Sequence, residues 1–344
     1  MKNAAPYDSL IEKWVREKKF PAAVLDISIG SSFRFQKAYG TWENAQGSCT
    51  ATLETLFDLA SLTKVVVTLP AVLILISEGK LKLDDKVEAY LPRFRHHEVA
   101  IRHLLMHSSG LPSDLELRPR AAVGRDVLGE IYEQGLQFAS GSQTLYSDPG
   151  MILLGKIISE LAGEPLDQFA RRMIFDPLKM NSARYRPKGE WKERAAATEM
   201  VDGQFVSGEV HDEKTFQMGG VSGSAGLFAT AGDLHKYAQC WLNPEQTRLA
   251  IDPVLMRECL AHPLETRGLG WEMWNGSDYV SCGQYFSPGS FGHTGFTGTS
   301  LWMDPRCGLT VVFLTNMVHY GRSSLMRTLR PMLHDSIYTS LFEV

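Results

Sequence analysis

The chain has 344 residues, 44% hydrophobic and 22% charged, with 30 Gly and 16 Pro; this soluble globular composition excludes disorder, collagen and small disulfide scaffolds. A formal net charge of −4, with no basic stripe or run of like charge, argues against nucleic acid and anionic membrane as partners. The five cysteines are scattered and never form a CxxC pair, so they read as reduced thiols and not as a disulfide framework or a thiolate zinc site.

Asp8 to Lys19 places Leu10, Ile11, Trp14 and Val15 on one helical face, and Pro21 ends the pattern. Met1 to Phe20 contains no continuous apolar segment and no cleavage site, which reads as a cytoplasmic chain. Two β-rich runs, Ala22 to Ile29 and Phe33 to Tyr39, flank the hairpin punctuation Gly30-Ser31-Ser32. Leu62 to Glu78 is apolar and helix-length, with a kink expected at Pro70, and its Val65 to Ile76 stretch is too short to cross a bilayer.

From Leu81 to Gly208 helical patterning alternates with Pro/Gly/Ser loops, and Gly219 to Gly226 reads as a tight turn at a pocket rim. It lacks the GK[ST] of a phosphate loop. Helices are expected at Asp233 to Leu242, Gln246 to Leu260 and Ser323 to Phe342. Strands are expected at Leu269 to Trp274, Asp278 to Cys282, Ser300 to Met303 and Leu309 to Leu314. Strands at both ends with helices between them predict an α/β fold in two parts. Residues 1–80 and 220–344 would form a lobe with an antiparallel sheet flanked by the terminal helices, and 81–219 an inserted helical lobe.

Ser61-Leu62-Thr63-Lys64 fits SxxK, which puts a serine and a lysine one helical turn apart on the same face. Such a match arises by chance about once in a chain of this size, and Ser77-Glu78-Gly79-Lys80 is a second. Position separates them: Ser61 stands where a helix begins and backbone N–H groups can meet an oxyanion, whereas Ser77 stands where the helix stops. A serine needs a neighbouring base, which Lys64 becomes only if its proton is destabilised. Tyr146-Ser147-Asp148 is the only tyrosine motif with Asn or Asp two residues on, and His293 is the only cationic-type residue followed by Thr-Gly.

SxxK, then a tyrosine motif, then His293-Thr294-Gly295 resembles the signature of the serine β-lactamase and penicillin-binding-protein superfamily, most closely its class C-like and esterase branch. Leu83 to Pro92, Leu104 to Leu111 and Gly219 to Tyr237 also resemble segments of that branch, so the likeness covers most of the chain. The resemblance implies a β-lactamase/transpeptidase-like fold, with Ser61 as nucleophile, Lys64 and Tyr146 sharing the proton relay, and His293 beside the pocket. It places the oxyanion hole at the N–H groups of Ser61 and Phe296, and substrate contacts at Asp148, Thr294 and Gly295. Which of Lys64 and Tyr146 takes the serine proton stays open.

Two positions depart from the family pattern. Asp148 replaces the usual Asn, so it accepts hydrogen bonds, donates none, and is expected to pair with Lys64. His293 replaces the commoner Lys, giving a cation only at lower pH and weakening recognition of a substrate carboxylate. Phe296 contributes its N–H while its ring narrows the pocket.

The expected protein is therefore a bacterial, cofactor-independent serine hydrolase that cleaves a small ester or amide through an acyl-Ser61 intermediate, with esterase-like action leading. One alternative is a penicillin-binding DD-peptidase acting on D-amino-acid peptides. Another is a catalytically weak binding protein in which Asp148 and Lys64 form an inert pair. No metal is expected: His103 and His107 have metal-compatible spacing, but HExxH and a third ligand are missing. Trp271, Trp274 and Trp302 are expected to pack on the sheet.

Overall fold

The computed structural model describes residues 5–122, 124–276 and 281–343. In chain order the first elements are α1 (Pro6–Arg16), β1 (Ala22–Ile29), β2 (Phe33–Asn44), β3 (Gly47–Thr50), β4 (Phe57–Asp58) and α2 (Leu69–Ser77). The middle carries α3 (Ile101–Leu105), α4 (Val127–Tyr132), α5 (Asp148–Ala162), α6 (Leu166–Ala170), β5 (Arg184–Tyr185), α7 (Glu190–Glu193), β6 (Met200–Val201), β7 (Gln204–Phe205) and α8 (Glu213–Gln217). Then come β8 (Leu227–Ala229), α9 (Ala231–Leu242), α10 (Pro253–Ala261), β9 (Glu272–Met273), β10 (Phe291–Thr294), β11 (Ser300–Asp304), β12 (Leu309–Thr315) and α11 (Met326–Leu341).

Seven antiparallel strands form the main sheet in the order β3-β2-β1-β12-β11-β10-β9, so both ends of the chain meet at the β1–β12 pairing. This is the α/β architecture expected from the sequence. β1 is an interior strand buried almost throughout, which explains its near-continuous apolar run; β2 mixes half-buried and exposed positions with the buried Tyr39 and Trp42. One face of the sheet packs under α1 and α11 through Ile11, Trp14, Phe313, Leu333 and Ile337. On the other face, Val24, Val312 and Phe291 join the larger core with α2, α5 and α9. Trp302 and Trp274 fall in the first cluster and Trp271 in the second, so all three pack as expected.

Several boundaries differ from the sequence reading. Pro70 lies inside a continuous helical run over residues 62–77, and the backbone irregularity expected at it takes the form of a π-helical turn at Lys64–Thr68, immediately before it. The run at Leu269 to Trp274 is a strand only at Glu272–Met273. The expected strand at Asp278 to Cys282 lies largely outside the described residues, and Ser281 and Cys282 are in a turn. At Gln246 to Leu260 a 3-10 turn, Pro244–Gln246, ends at the first residue, and the helix starts only at Pro253, capped by Asp252. β3 to β8 were missed, being short and fixed by their pairing partners.

Asp26 is a fully buried carboxylate in β1, held by Arg34 at 2.8 Å and Gln36 at 2.8 Å on the neighbouring strand. Asp26→Ala removes those bonds but leaves Arg34 able to reach water, so it should lower unfolding free energy in urea by about 1–3 kcal/mol. An unchanged denaturation midpoint would contradict this.

Candidate active site

The turn that carries Ser61 is built by a small three-stranded sheet, β4-β8-β5. β4 leads to Leu59, whose N–H donates to Leu227 O at 2.9 Å, while Thr63 Oγ1 accepts from Leu227 N at 3.2 Å. Between them Ala60 has φ of +46°, a left-handed conformation costing about 1–3 kcal/mol and held in place by the contacts on both sides. Ser61 and Lys64 follow on one turn, with Lys64 Nζ donating to Ser61 Oγ at 2.9 Å.

The loop after β10 is clamped onto the same segment. Thr297 Oγ1 donates to Asp58 O at 2.7 Å and Thr299 Oγ1 to Leu59 O at 3.2 Å. Arg330 of α11 donates to Gly295 O at 2.8 Å and Thr299 O at 3.1 Å. A Cβ at Gly295 would stand 2.1 Å from Thr299 Oγ1 and 2.4 Å from Leu59 O, so only glycine permits this approach. The N–H groups of Ser61 and Phe296 take no partner among the described residues, and both residues line one cavity of about 700 Å³.

Tyr146 and Asp148 arrive at the start of α5. Ser147 caps that helix and Pro149 occupies its first turn, a pattern that fixes Tyr146 just outside the helix and Asp148 at its first position. The Tyr146 hydroxyl interacts with Lys64 and Ser61, and Lys64 Nζ lies 5.1 Å from the Tyr146 ring centre. Its ring lies between His107 and His293, with centroids 4.6 and 5.9 Å away. His103 and His107 do not share a helix face, because α3 ends at Leu105 and His107 has φ of +54°. His107 Nδ1 instead accepts from Ser147 N at 3.0 Å.

Lys64 has no exposed side-chain surface. Its Nζ meets Asp148 Oδ1 at 2.7 Å, the pairing expected from the sequence, and donates to Ser224 O at 2.8 Å. Burial disfavours the ammonium, but the Asp148 carboxylate and Tyr146 outweigh it and hold Lys64 above the ordinary lysine range. Burial also pushes the Tyr146 phenol up, with Lys64 pulling the other way. The Gly219 to Gly226 segment runs from exposed Gly219 to the buried residues 222–226; its first half lines a recess of about 340 Å³ and its Ser224 carbonyl reaches Lys64.

His293 is buried, and its Nδ1 donates to Thr294 O at 2.8 Å, which puts the ring proton on Nδ1. Burial, then Arg267 and Lys64, push its pKa well below the usual histidine value. The cation at lower pH expected from the sequence is therefore suppressed. Arg267, which no motif marked, lies 5.4 Å from the Tyr146 ring centre and lines the cavity with Ser61, His293, Thr294, Gly295 and Phe296. Its buried Nη1 has no hydrogen-bond partner among the described residues. Phe296 is 53% exposed, stacked on His211. A larger recess of about 1020 Å³ near Arg120 and Met200 holds none of these groups, so chemistry and not volume marks the site.

The sequence profile of the β-lactamase family matches residues 7–331. The chain belongs to the β-lactamase family. This hydrolase is 34% identical to the N-acetylmuramyl-L-alanine amidase of Bacillus subtilis (strain 168), over 91% of the chain and 80% of that protein. It is 32% identical to an Escherichia coli (strain K12) protein provisionally named a D-alanyl-D-alanine carboxypeptidase, over 90% of the chain and 82% of that protein. A class C β-lactamase structure superposes with a TM-score of 0.77 at 20% identity, covering 98% of this chain and 96% of that one. The protein is a serine hydrolase of that family and fold, as the sequence reading expected.

One consequence of the His293 environment is spectroscopic. Its imidazole should be neutral and Nδ1-protonated at pH 6 in ¹⁵N NMR, whereas a cationic ring there would contradict the burial argument.

Proposed function

We propose that this hydrolase cleaves an amide in a small peptide that carries a carboxylate, through an acyl-Ser61 intermediate. The observation that carries the reading is Arg267, an under-satisfied guanidinium in the cavity that holds the nucleophile. It supplies the cation that His293 cannot, and with it the main objection to a carboxylate-bearing substrate falls away. The names of the two relatives, an amidase and a carboxypeptidase, point to the same bond type. Short esters remain substrates in this reading, because an ester is the easier acyl donor for the same serine.

In the proposed reaction a proton first leaves the Lys64–Tyr146 pair. Ser61 Oγ then attacks the carbonyl carbon, its proton passes to that pair, and the carbonyl π electrons move to oxygen, where the Ser61 and Phe296 N–H groups meet the charge. Collapse re-forms the carbonyl, breaks the C–N bond and returns the proton to the leaving amine. Water repeats the sequence on the acyl ester and frees Ser61. Thr294 and Gly295 border the acyl site, and Asp148 orients Lys64 instead of donating to substrate.

Intact-mass spectrometry with a fluorophosphonate should show a single adduct on the wild type and none on Ser61→Ala; an adduct on the variant would overturn the assignment. Arg267→Ala should lose about tenfold or more in kcat/KM on a peptide with a free carboxylate but change little on its neutral amide. Equal losses on both would remove Arg267 from substrate recognition. A fluorescent penicillin serves as a third probe, since acylation of Ser61 by it would favour the DD-peptidase form of this reading.

A further inference from the structure

Asp148 does not serve Lys64 alone. Its Oδ1 meets Lys64 Nζ at 2.7 Å, and its Oδ2 meets Lys214 Nζ at 3.6 Å. Lys214 extends from α8, a helix capped by Asp212, and its side chain is only 8% exposed. The same ammonium lies 2.8 Å from Asp114 Oδ1 and 3.1 Å from Asp212 Oδ2. Three carboxylates and two ammonium groups thus form one chain of contacts that ends at the Ser61 hydroxyl.

We propose that Lys214 is a positioning residue that shares the Asp148 carboxylate with Lys64 and so sets the pH at which the Lys64–Tyr146 pair becomes able to accept the Ser61 proton. With both lysines protonated the cluster holds one excess negative charge, and loss of the Lys64 proton doubles it. Each carboxylate therefore resists that loss, and Lys214 favours it by offsetting part of the charge that Asp148 presents to Lys64. Two groups flanking one carboxylate consequently act in opposite directions on the same proton. This inference rests on the acyl-Ser61 reading given above.

The other groups facing the pair leave this sign unchanged. Tyr146 shares the proton, while His107 and His293 are held neutral by burial, with Arg267 and Lys64 acting in the same direction. Arg267 and Glu272, which line the same cavity, are unchanged in all variants considered. Asp58, buried behind the nucleophile turn, accepts from Ala60 N and His211 N at 2.8 and 2.6 Å and is not touched by the substitutions below.

The test is the pH dependence of the second-order rate of Ser61 labelling by a fluorophosphonate, read by intact mass on the full chain. The wild-type rate should rise into the alkaline range. Asp148→Asn should move the midpoint of that rise down by about one pH unit or more, and Lys214→Met should move it up by a similar amount. Lys214→Arg should restore the wild-type midpoint. Asp114→Asn removes a half-exposed carboxylate from Lys214 and should move the midpoint down by a smaller step, so it decides the matter if Lys214→Met does not fold.

Midpoints of Lys214→Met and Asp114→Asn that match the wild type, or a downward shift in Lys214→Met, would overturn the proposal while leaving the acyl-Ser61 reading intact. Labelling that persists in Ser61→Ala would instead overturn that reading. A purely structural role for Lys214 would lower the labelling rate at every pH with no shift of midpoint, and this too would count against the proposal.

Discussion

A fully buried ammonium is the constraint around which this protein is arranged. Lys64 has no exposed side-chain surface, and an unpaired charge there would cost several kcal/mol. Asp148, Ser224 O and Ser61 Oγ surround it at 2.7, 2.8 and 2.9 Å, so the charge is compensated by groups from three separate segments of the chain. The start of α5, the Gly/Ser segment before β8 and the turn after β4 are thereby tied to one atom. The same compensation that makes the ammonium tolerable makes it a reluctant base.

The fold delivers those segments through backbone contacts that need small residues. Gly223 packs so closely on α5 that a Cβ would stand 2.2 Å from Met151 O, and Thr68 Oγ1 donates to Gly223 O at 2.6 Å. Gly295 makes a similar approach to Leu59. These contacts bring the serine turn, the β10 edge and the α5 start within one hydroxyl's reach. The cavity beside Ser61 then forms between β10 and α11, where Arg330 serves the loop while Arg267 faces Tyr146.

Much of this arrangement was legible in the sequence because the groups nearest Ser61 are held by local patterns. Ser61 and Lys64 need one helical turn, Tyr146 and Asp148 need a Ser-capped helix start, and His293-Thr294-Gly295 needs a strand ending in glycine. The Asp148 pairing could be anticipated from charge alone. Lys214 could not, because no motif marks Asp212-Glu213-Lys214 and only tertiary packing buries its lysine. Arg267 likewise lies in a segment without periodicity and reaches the site through a loop before β9. The expectation of weak carboxylate recognition rests on position 293, and the role proposed for Arg267 is what departs from it.

The claim that organises this account is that Asp148 keeps Lys64 charged beside the serine. The most direct measurement is the ¹⁵N chemical shift of Lys64 Nζ, followed in selectively labelled protein from pH 7 to 11 in the wild type and in Asp148→Asn. The account predicts an ammonium that persists through pH 10 in the wild type and deprotonates at lower pH in the variant. A neutral Lys64 amine in the wild type at pH 8 would contradict it.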